Sequence, residues 1–586
     1  MIADVSRAPD DEQPAPVTIC HRFLSDAVFR KDVVVGPRRT EVLGFEEWLR
    51  WRHGSPAISS LAPGPNCAEP PLFSHPTFLF DNELLRQAVI GPAGPGLGTL
   101  ALLLVYAVLL LLLSFYGTHR VSLVRRWWSR RNAVPAVPAA LPEHLLPGVT
   151  VQLPLFNEAT VVERLIRTAA LLEWPRDRFQ IQVLDDSTDE TTLVARRVVA
   201  ELSAHGLDIE LIHRTDRTGY KAGALSAGLA SAKHPFVAIF DADFVPAPGF
   251  LRQLMPHFQD AAVGLVQARW AHLNEQASTL TRLQGVMLDG HFRIEHVART
   301  RHGLFMNFNG TAGIWRRATI DAAGGWHHET LTEDLDLSYR AQLLGWRFVY
   351  RDDVTCPSEL PESMNAFKTQ QHRWAKGSIQ VMRKLLGTVL SAKVSLAVRK
   401  EAFFHLTGNL CYLAALPVFL FTLPLLMLRA RLLEGWAGNV LDLGIFLAAT
   451  GSVVLFLVAT LIARGFRWRD LVLVPGLLAL GTALSLNQTR AVLEALVGHQ
   501  SAFVRTPKSS GGTQRYLGAK SLIVVAEFLA AIYTTVIFLY ALQQGLWTAL
   551  PFCGLFFAGY WYVVILTLVE SRRAPAATAS PSLAAS

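Results

Sequence analysis

The chain has 586 residues, 51% of them hydrophobic and only 17% charged, which is too apolar for a purely soluble protein and too long for one ordinary domain. Its net charge of +8 does not read as a nucleic-acid signature, because the arginines gather beside apolar runs, where lipid headgroups supply the counter-charge. The five cysteines, Cys20, Cys67, Cys356, Cys411 and Cys553, are scattered without a CxxC pair, so they signal neither a zinc site nor a disulfide framework and fit a reduced, mostly intracellular catalytic part.

Residues 1–96 begin acidic and proline-bearing rather than basic and then apolar, so no cleavable secretory signal is expected, and no role is assigned to them. Residues 97–116 form an uncharged apolar run that satisfies the ~20 helical residues needed to cross a bilayer core. Arg120, Arg125, Arg126, Arg130 and Arg131 follow directly, an asymmetry that puts this end and the downstream globular part in the cytoplasm. Residues 117–147 read as a basic linker, extended where Pro135, Pro138, Pro142 and Pro147 restrict the backbone.

From residue 148 to residue 400 the pattern is that of an α/β domain. Short apolar runs at Val149 to Leu153, Ile181 to Leu184, Ile209 to Ile212 and Phe236 to Phe240 alternate with helical stretches, predicting a mostly parallel sheet with helices on both faces. Ligands of such sheets lie beyond the carboxyl ends of the strands, where two acidic clusters stand.

Asp185 and Asp186 end the second run. One of them can cap the helix expected near Asp189, which leaves an adjacent acid to read a nucleobase or ribose. Lys221, in RTGYKAGAL, opens the next helix, where an ammonium meets phosphate oxygens, although a lone lysine there is more often a surface charge. Asp241 and Asp243 follow the run PFVAIF, and a two-residue step on an extended chain points both carboxylates the same way. Such a pair suits a divalent cation shared with a nucleotide diphosphate, or else is a solvated turn. Thr332, Glu333 and Asp334 precede an amphipathic helix. Capping by Thr332 explains part of the cluster, and the helix dipole is expected to keep Asp334 ionised, as a general base requires. Gln370, Arg373 and Trp374 stand at i, i+3 and i+4, so one helix face offers an amide, a guanidinium and a ring. That face suits a diphosphate beside a stacked sugar better than a tryptophan merely resting on a core.

Beyond residue 400, apolar runs recur near 403–428, 440–463, 470–486, 521–543 and 549–569. Arg464, Arg467 and Arg469 precede the third run, and Arg490, Arg505, Lys508, Arg515 and Lys520 follow it, so both of its flanks read as cytoplasmic. Residues 470–499 are therefore expected to be interfacial or re-entrant, with Asn487, Gln488, Arg490 and Glu494 facing the bilayer surface, and 401–570 to make about four crossings. Arg429 and Arg431 run against this pattern. Residues 571–586 read as a disordered tail.

In order, the sets DDS, DAD, TED and QQHRW resemble the D,D,DxD,TED,QxxRW pattern of processive family 2 glycosyltransferases, including bacterial cellulose synthase and the plant cellulose synthase-like A mannan synthases. FNGTAG at 308–313 and ELPES at 359–363 look like mannan synthase loops. The resemblance implies a GT-A-type nucleotide-sugar-binding domain inserted among transmembrane helices of an inner or plasma membrane. It also implies a donor such as UDP-glucose or GDP-mannose, and Mg²⁺ or Mn²⁺ on Asp241 and Asp243. By the same resemblance Asp185 contacts the nucleotide, Asp334 is the base, and Gln370, Arg373 and Trp374 hold the diphosphate and the growing end, while Asp186, Lys221 and Glu333 are expected to bind substrate beside them. FVRTPK at 503–508, with Thr506 and Lys508, looks like a gating loop within 500–518. The implied activity is inverting transfer of hexosyl units to a growing polysaccharide coupled to export. The alternative is a single transfer to a lipid acceptor such as diacylglycerol. A catalytically silent transporter is disfavoured by the complete acid set.

Overall fold

The computed structural model describes residues 96–133, 136–433, 435–499 and 522–573, with a two-residue antiparallel pairing of Ile19–Cys20 and Val33–Val34 in an N-terminal unit that ends at Leu84. The gating-like loop with Thr506 and Lys508, nearly all of residues 1–96 and most of the expected tail lie outside the described residues.

Helix α1 (Leu97–Arg130) does not stop where its apolar run stops. Its 34 residues span roughly 50 Å, against a bilayer core of ~30 Å, so the last turns carry their arginines past the apolar layer. The expected linker is therefore helical as far as Arg130. Leu, Val and Arg favour helix throughout, and the prolines that forbid it begin only at Pro135.

Between residues 148 and 400 lies a seven-stranded sheet: β1 (Val149–Leu155), β2 (Phe179–Asp185), β3 (Ile209–His213), β4 (Phe236–Ile239), β5 (Val263–His272), β6 (Gly313–Arg316) and β7 (Arg347–Ser358), in the order β3-β2-β1-β4-β6-β5-β7. All neighbours are parallel except β6, which is antiparallel to both β4 and β5. Strand alternation sends Ile181 and Val183 into one apolar layer, with α2 (Val162–Ala170) and α3 (Thr191–Ala204). Leu184 goes to the opposite layer, shared with α4 (Tyr220–Ser231) and, further along the chain, with Leu337. Helices α5 (Thr279–Asp289), α6 (Glu333–Leu343) and α7 (Met364–Ser391) complete this part.

Then follow α8 (Leu396–Thr407), α9 (Tyr412–Leu432), α10 (Gly435–Ala463), α11 (Leu473–Ala483), α12 (Ser485–Leu496), α13 (Leu522–Gln543) and α14 (Leu550–Arg573). Among the described residues, five stretches are long and apolar enough to cross a membrane: Leu97–Arg130, Leu396–Leu432, Gly435–Ala463, Leu522–Gln543 and Leu550–Arg572. Trp468–Ala483 and Ser485–Leu496 form a pair bent by 43°, a geometry that fits a broken span or a re-entrant loop. Of the four polar residues of α12 expected at a bilayer surface, Arg490 is exposed and pairs with Glu494 at 2.8 Å, while the other three turn toward the protein. Asn487 and Gln488 are buried, Asn487 Nδ2 donates to the Lys368 carbonyl at 3.0 Å, and Glu494 accepts from Lys376 at 2.9 Å, so this face is a seat for α7.

Arg429, discordant in the sequence, carries its own counter-charge. It pairs with Asp442 at 3.2 Å, with side-chain exposures of 10% and 5%, and the Thr548 hydroxyl donates to the same carboxylate at 2.7 Å. Removing one member strands the other charge. We therefore expect Asp442→Asn to destabilise the detergent-solubilised chain by about 3 kcal/mol, and the double variant Arg429→Leu/Asp442→Leu to lose much less, as measured by chemical unfolding. Equal losses would contradict the pairing.

Candidate active site

The cleft lies beyond the carboxyl ends of β1, β2 and β4. Strand β4 stops at Ile239, and the Phe244 amide donates to the Asp241 carbonyl at 3.0 Å, closing a turn over residues 241–244. Asp241 and Asp243 reach one cleft through this turn and not through the extended alternation expected. The Asp241 amide donates to the Thr311 hydroxyl at 2.9 Å, and Asp243 is buried, accepting from the Glu359 amide at 3.2 Å.

Lys221, in the first turn of α4, ties this turn to the loop before β6. Its ammonium lies 2.5 Å from Asp241 Oδ1 and donates to the Gly310 carbonyl at 2.8 Å. Burial works against its charge, but Asp241, Glu333 and Asp334 outweigh burial and raise its pKa. One cation thus serves three acids.

Asp185 and Asp186, adjacent in sequence, have separate positions. Asp185 is fully buried behind the cleft wall, accepting from the Ser187 amide (3.0 Å), the Thr192 hydroxyl (2.6 Å) and the His213 ring (2.9 Å). It fixes the loop after β2 and is not among the residues lining the cleft. Asp186 is on the wall, held in a two-point pair by Arg214 at 2.7 and 2.5 Å. Neither caps α3, whose first turn is held instead by the Asp189 carboxylate accepting from the Thr191 amide at 2.9 Å.

Opposite stands the start of α6. Thr332 occupies the N-cap with no side-chain capping bond among the described residues, its methyl and hydroxyl being packed where a Cβ on Gly377 would fall. Asp334 Oδ1 accepts from the Leu335 amide at 2.8 Å. The expected ionisation by the helix dipole is overridden. Burial first and the neighbouring Glu333 second push the Asp334 carboxyl up to about 7, against the pull of Lys221, and burial likewise raises Glu333.

Helix α7 brings Gln370, Arg373 and Trp374 to the same cleft, as their spacing predicts, and Asp186, Lys221, Asp241, Asp243, Glu333 and Asp334 line it too. Behind it a cavity of about 480 Å³ continues between Tyr116 and Gly117 of α1, Phe404 of α8, Tyr412 of α9 and Ser452 of α10. Asp334, Gln370, Trp374, Trp270 and Asn309 line both spaces. The base candidate and the ring therefore stand at their junction.

Several residues here escaped the sequence reading. Arg217 lies in the cleft with its guanidinium 3.3 Å over the Phe156 ring, and it sits within the same RTGYK string as Lys221. Asn309 is clamped between His291 Nε2 (2.8 Å) and His296 Nε2 (2.6 Å) of a π-helical turn, Gly290–His296. A π turn inserts a residue into the helical period, so it leaves no periodic signal.

Residues 147–377 match the model of the family described as glycosyltransferase like family 2. The chain is 42% identical over 307 residues to glucomannan 4-beta-mannosyltransferase 1 of Oryza sativa subsp. japonica, covering 50% of this chain and 58% of that protein. It is 41% identical over 321 residues to glucomannan 4-beta-mannosyltransferase 2 of Arabidopsis thaliana, covering 53% and 60%. The chain thus spans under two thirds of the length of these relatives. Among solved structures, a mannosyltransferase from Pyrobaculum calidifontis, in complex with GDP-Man and Mn²⁺, is 20% identical with a TM-score of 0.47, covering 67% of this chain and 100% of that one. The segment that matches the glycosyltransferase like family 2 model, residues 147–377, is the one whose acid clusters gather at the strand ends of the mostly parallel sheet.

Proposed function

We propose that this protein is a membrane-embedded, inverting β-mannosyltransferase that extends a polysaccharide from GDP-mannose and passes it into the cavity between its helices. The observation that carries this reading is the shared border of cleft and cavity at Asp334, Gln370 and Trp374. The names of the relatives favour mannose over glucose. The arginines at the end of α1 favour a cytoplasmic catalytic domain, in an inner or plasma membrane.

In the proposed reaction the acceptor hydroxyl attacks the anomeric carbon as the diphosphate leaves, one displacement that converts an α-linked donor into a β-glycoside. Asp334 takes the hydroxyl proton. Its Oδ1 is committed to the Leu335 amide, so Oδ2 is the accepting atom, and a carboxyl near 7 is a base matched to neutral solution. Arg373 grips diphosphate oxygens in a fork with Gln370 beside it, and Trp374 offers a face to the sugar of the growing end. Asp186, backed by Arg214, faces the nucleotide. Asp241 and Asp243 form a two-carboxylate set that fits Mg²⁺ or Mn²⁺ when substrate phosphates complete the shell. Such an ion supplies positive charge to the departing diphosphate.

The direct test incubates purified protein in lipid with labelled GDP-mannose or UDP-glucose and digests the product with linkage-specific hydrolases. A β-mannanase-sensitive polymer from GDP-mannose is expected. A glycolipid as the sole product, or no product from either donor, would overturn the reading.

The raised carboxyl of Asp334 sets a pH dependence. The ionised form is the active one, so kcat/KM is expected to climb with pH through a midpoint near 7 and to fall on the acid side. Asp334→Asn should lower kcat by about 10²–10⁴-fold while retaining donor affinity in calorimetry. A profile flat across neutrality would contradict the assignment. Gly310 gives a steric test: it has φ +81°, and a Cβ there would stand 3.1 Å from Asp334 Oδ2 and 3.3 Å from Lys221 Nζ. Gly310→Ala is expected to lower kcat roughly ten- to a hundredfold in steady-state assays by displacing both groups.

A further inference from the structure

Helices α1 and α8 leave two adjoining hollows between them where the apolar run of α1 gives way to arginine, and the two share Thr118, Lys400 and Phe404. One hollow is floored by Phe115, Leu390, Leu396 and Phe403, with Arg399 on its rim. The other is edged by Arg125 and Arg126. Its acid, Glu401, is already committed to His119 and Arg299, each at 3.0 Å. The Nε atoms of Arg126 and Arg399 are buried and meet no hydrogen-bond acceptor among the described residues. The result is a cationic ledge without further counter-charge among the described residues, beside an exposed apolar floor on which Phe115 is 46% and Leu396 78% exposed.

The two halves call for one kind of ligand. A soluble phosphate answers the cations and leaves the floor wet. A neutral acyl chain covers the floor and leaves the guanidinium nitrogens unpaired at a cost. An anionic phospholipid answers both, and the step from apolar to basic residues along α1 is the depth at which a bilayer presents its phosphates. We infer that this groove holds one anionic phospholipid, its headgroup on Arg126, Arg399 and Lys400 and an acyl chain along Phe115, Leu396 and Phe403. The inference rests on α1 lying in a membrane and is independent of the transfer chemistry.

The site also touches the inner cavity. Phe404 lines both spaces, and the His119 ring, which borders the cavity, stacks on it at a centroid distance of 4.6 Å. A bound lipid thus backs the cavity wall from outside.

The test uses the full chain in nanodiscs of phosphatidylcholine doped with photoreactive phosphatidylglycerol, and maps the cross-linked peptides. Labelling is expected on peptides covering residues 113–126 and 390–404. It should be weak with photoreactive phosphatidylcholine and unaffected by excess inorganic phosphate. The triple variant Arg126→Gln/Arg399→Gln/Lys400→Gln should retain phosphatidylglycerol on the order of a hundredfold less well by native mass spectrometry. Labelling confined to other helices, equal labelling by the zwitterionic probe, displacement by inorganic phosphate, or undiminished retention in the folded variant would each overturn it. The cross-link map uses the unsubstituted protein, so it decides the question even where the variant fails to fold.

Discussion

The geometry of the site depends on how α7 is held. Lys368 is buried in this helix and its ammonium pairs with Glu527 of α13 at 2.8 Å, with the Thr567 hydroxyl of α14 at 3.3 Å. Charges leave water only when paired, so this bond fixes the rotation of α7 about its axis. Glu570 of α14 accepts from the Met364 and Asn365 amides at the helix start, at 2.6 and 3.3 Å, and Lys376 meets Glu494 two turns further along at 2.9 Å. Gln370, Arg373 and Trp374 lie between these ties. Membrane-length helices thus dictate which way three cleft residues point, which explains why the sheet domain and the apolar helices form one structural unit.

Across the cleft, electrostatics does comparable work. Burying Glu333 and Asp334 side by side near Asp241 concentrates acid where little solvent screens it, and Lys221 is the buried cation that faces all three. The balance leaves Asp334 near neutrality and Lys221 charged. A glycine at 310 leaves room for both the Lys221 ammonium and the Asp334 carboxylate beside its backbone. In the proposed reaction, a base poised this way stands beside the diphosphate-holding face of α7.

Much of this was legible in the chain. The four apolar runs became β1 to β4, and the i, i+3, i+4 spacing of Gln370, Arg373 and Trp374 put them on one face. What was not legible has physical reasons. Strand β7 carries Arg347, Asp352, Asp353 and Pro357, residues that read as loop, and its register with β5 shifts twice, while β6 has only four residues. That Asp186 lines the cleft while Asp185 stands behind it turns on which of them Arg214 and His213 reach, each contact 28 positions away. Asn487 looked addressed to the bilayer surface and Arg429 ran against the charge pattern, because their partners, Lys368 at 119 positions and Asp442 on the next helix, appear only in the fold.

In the proposed reaction the product leaves the cleft past Trp374 into the cavity between the helices. A cryo-EM map of the chain embedded in lipid during turnover with GDP-mannose tests it most directly. Glycan density is expected to run from Asp334 and Trp374 past Tyr116 and Tyr412. Density leaving the cleft on the solvent side, with that cavity empty during turnover, would contradict it.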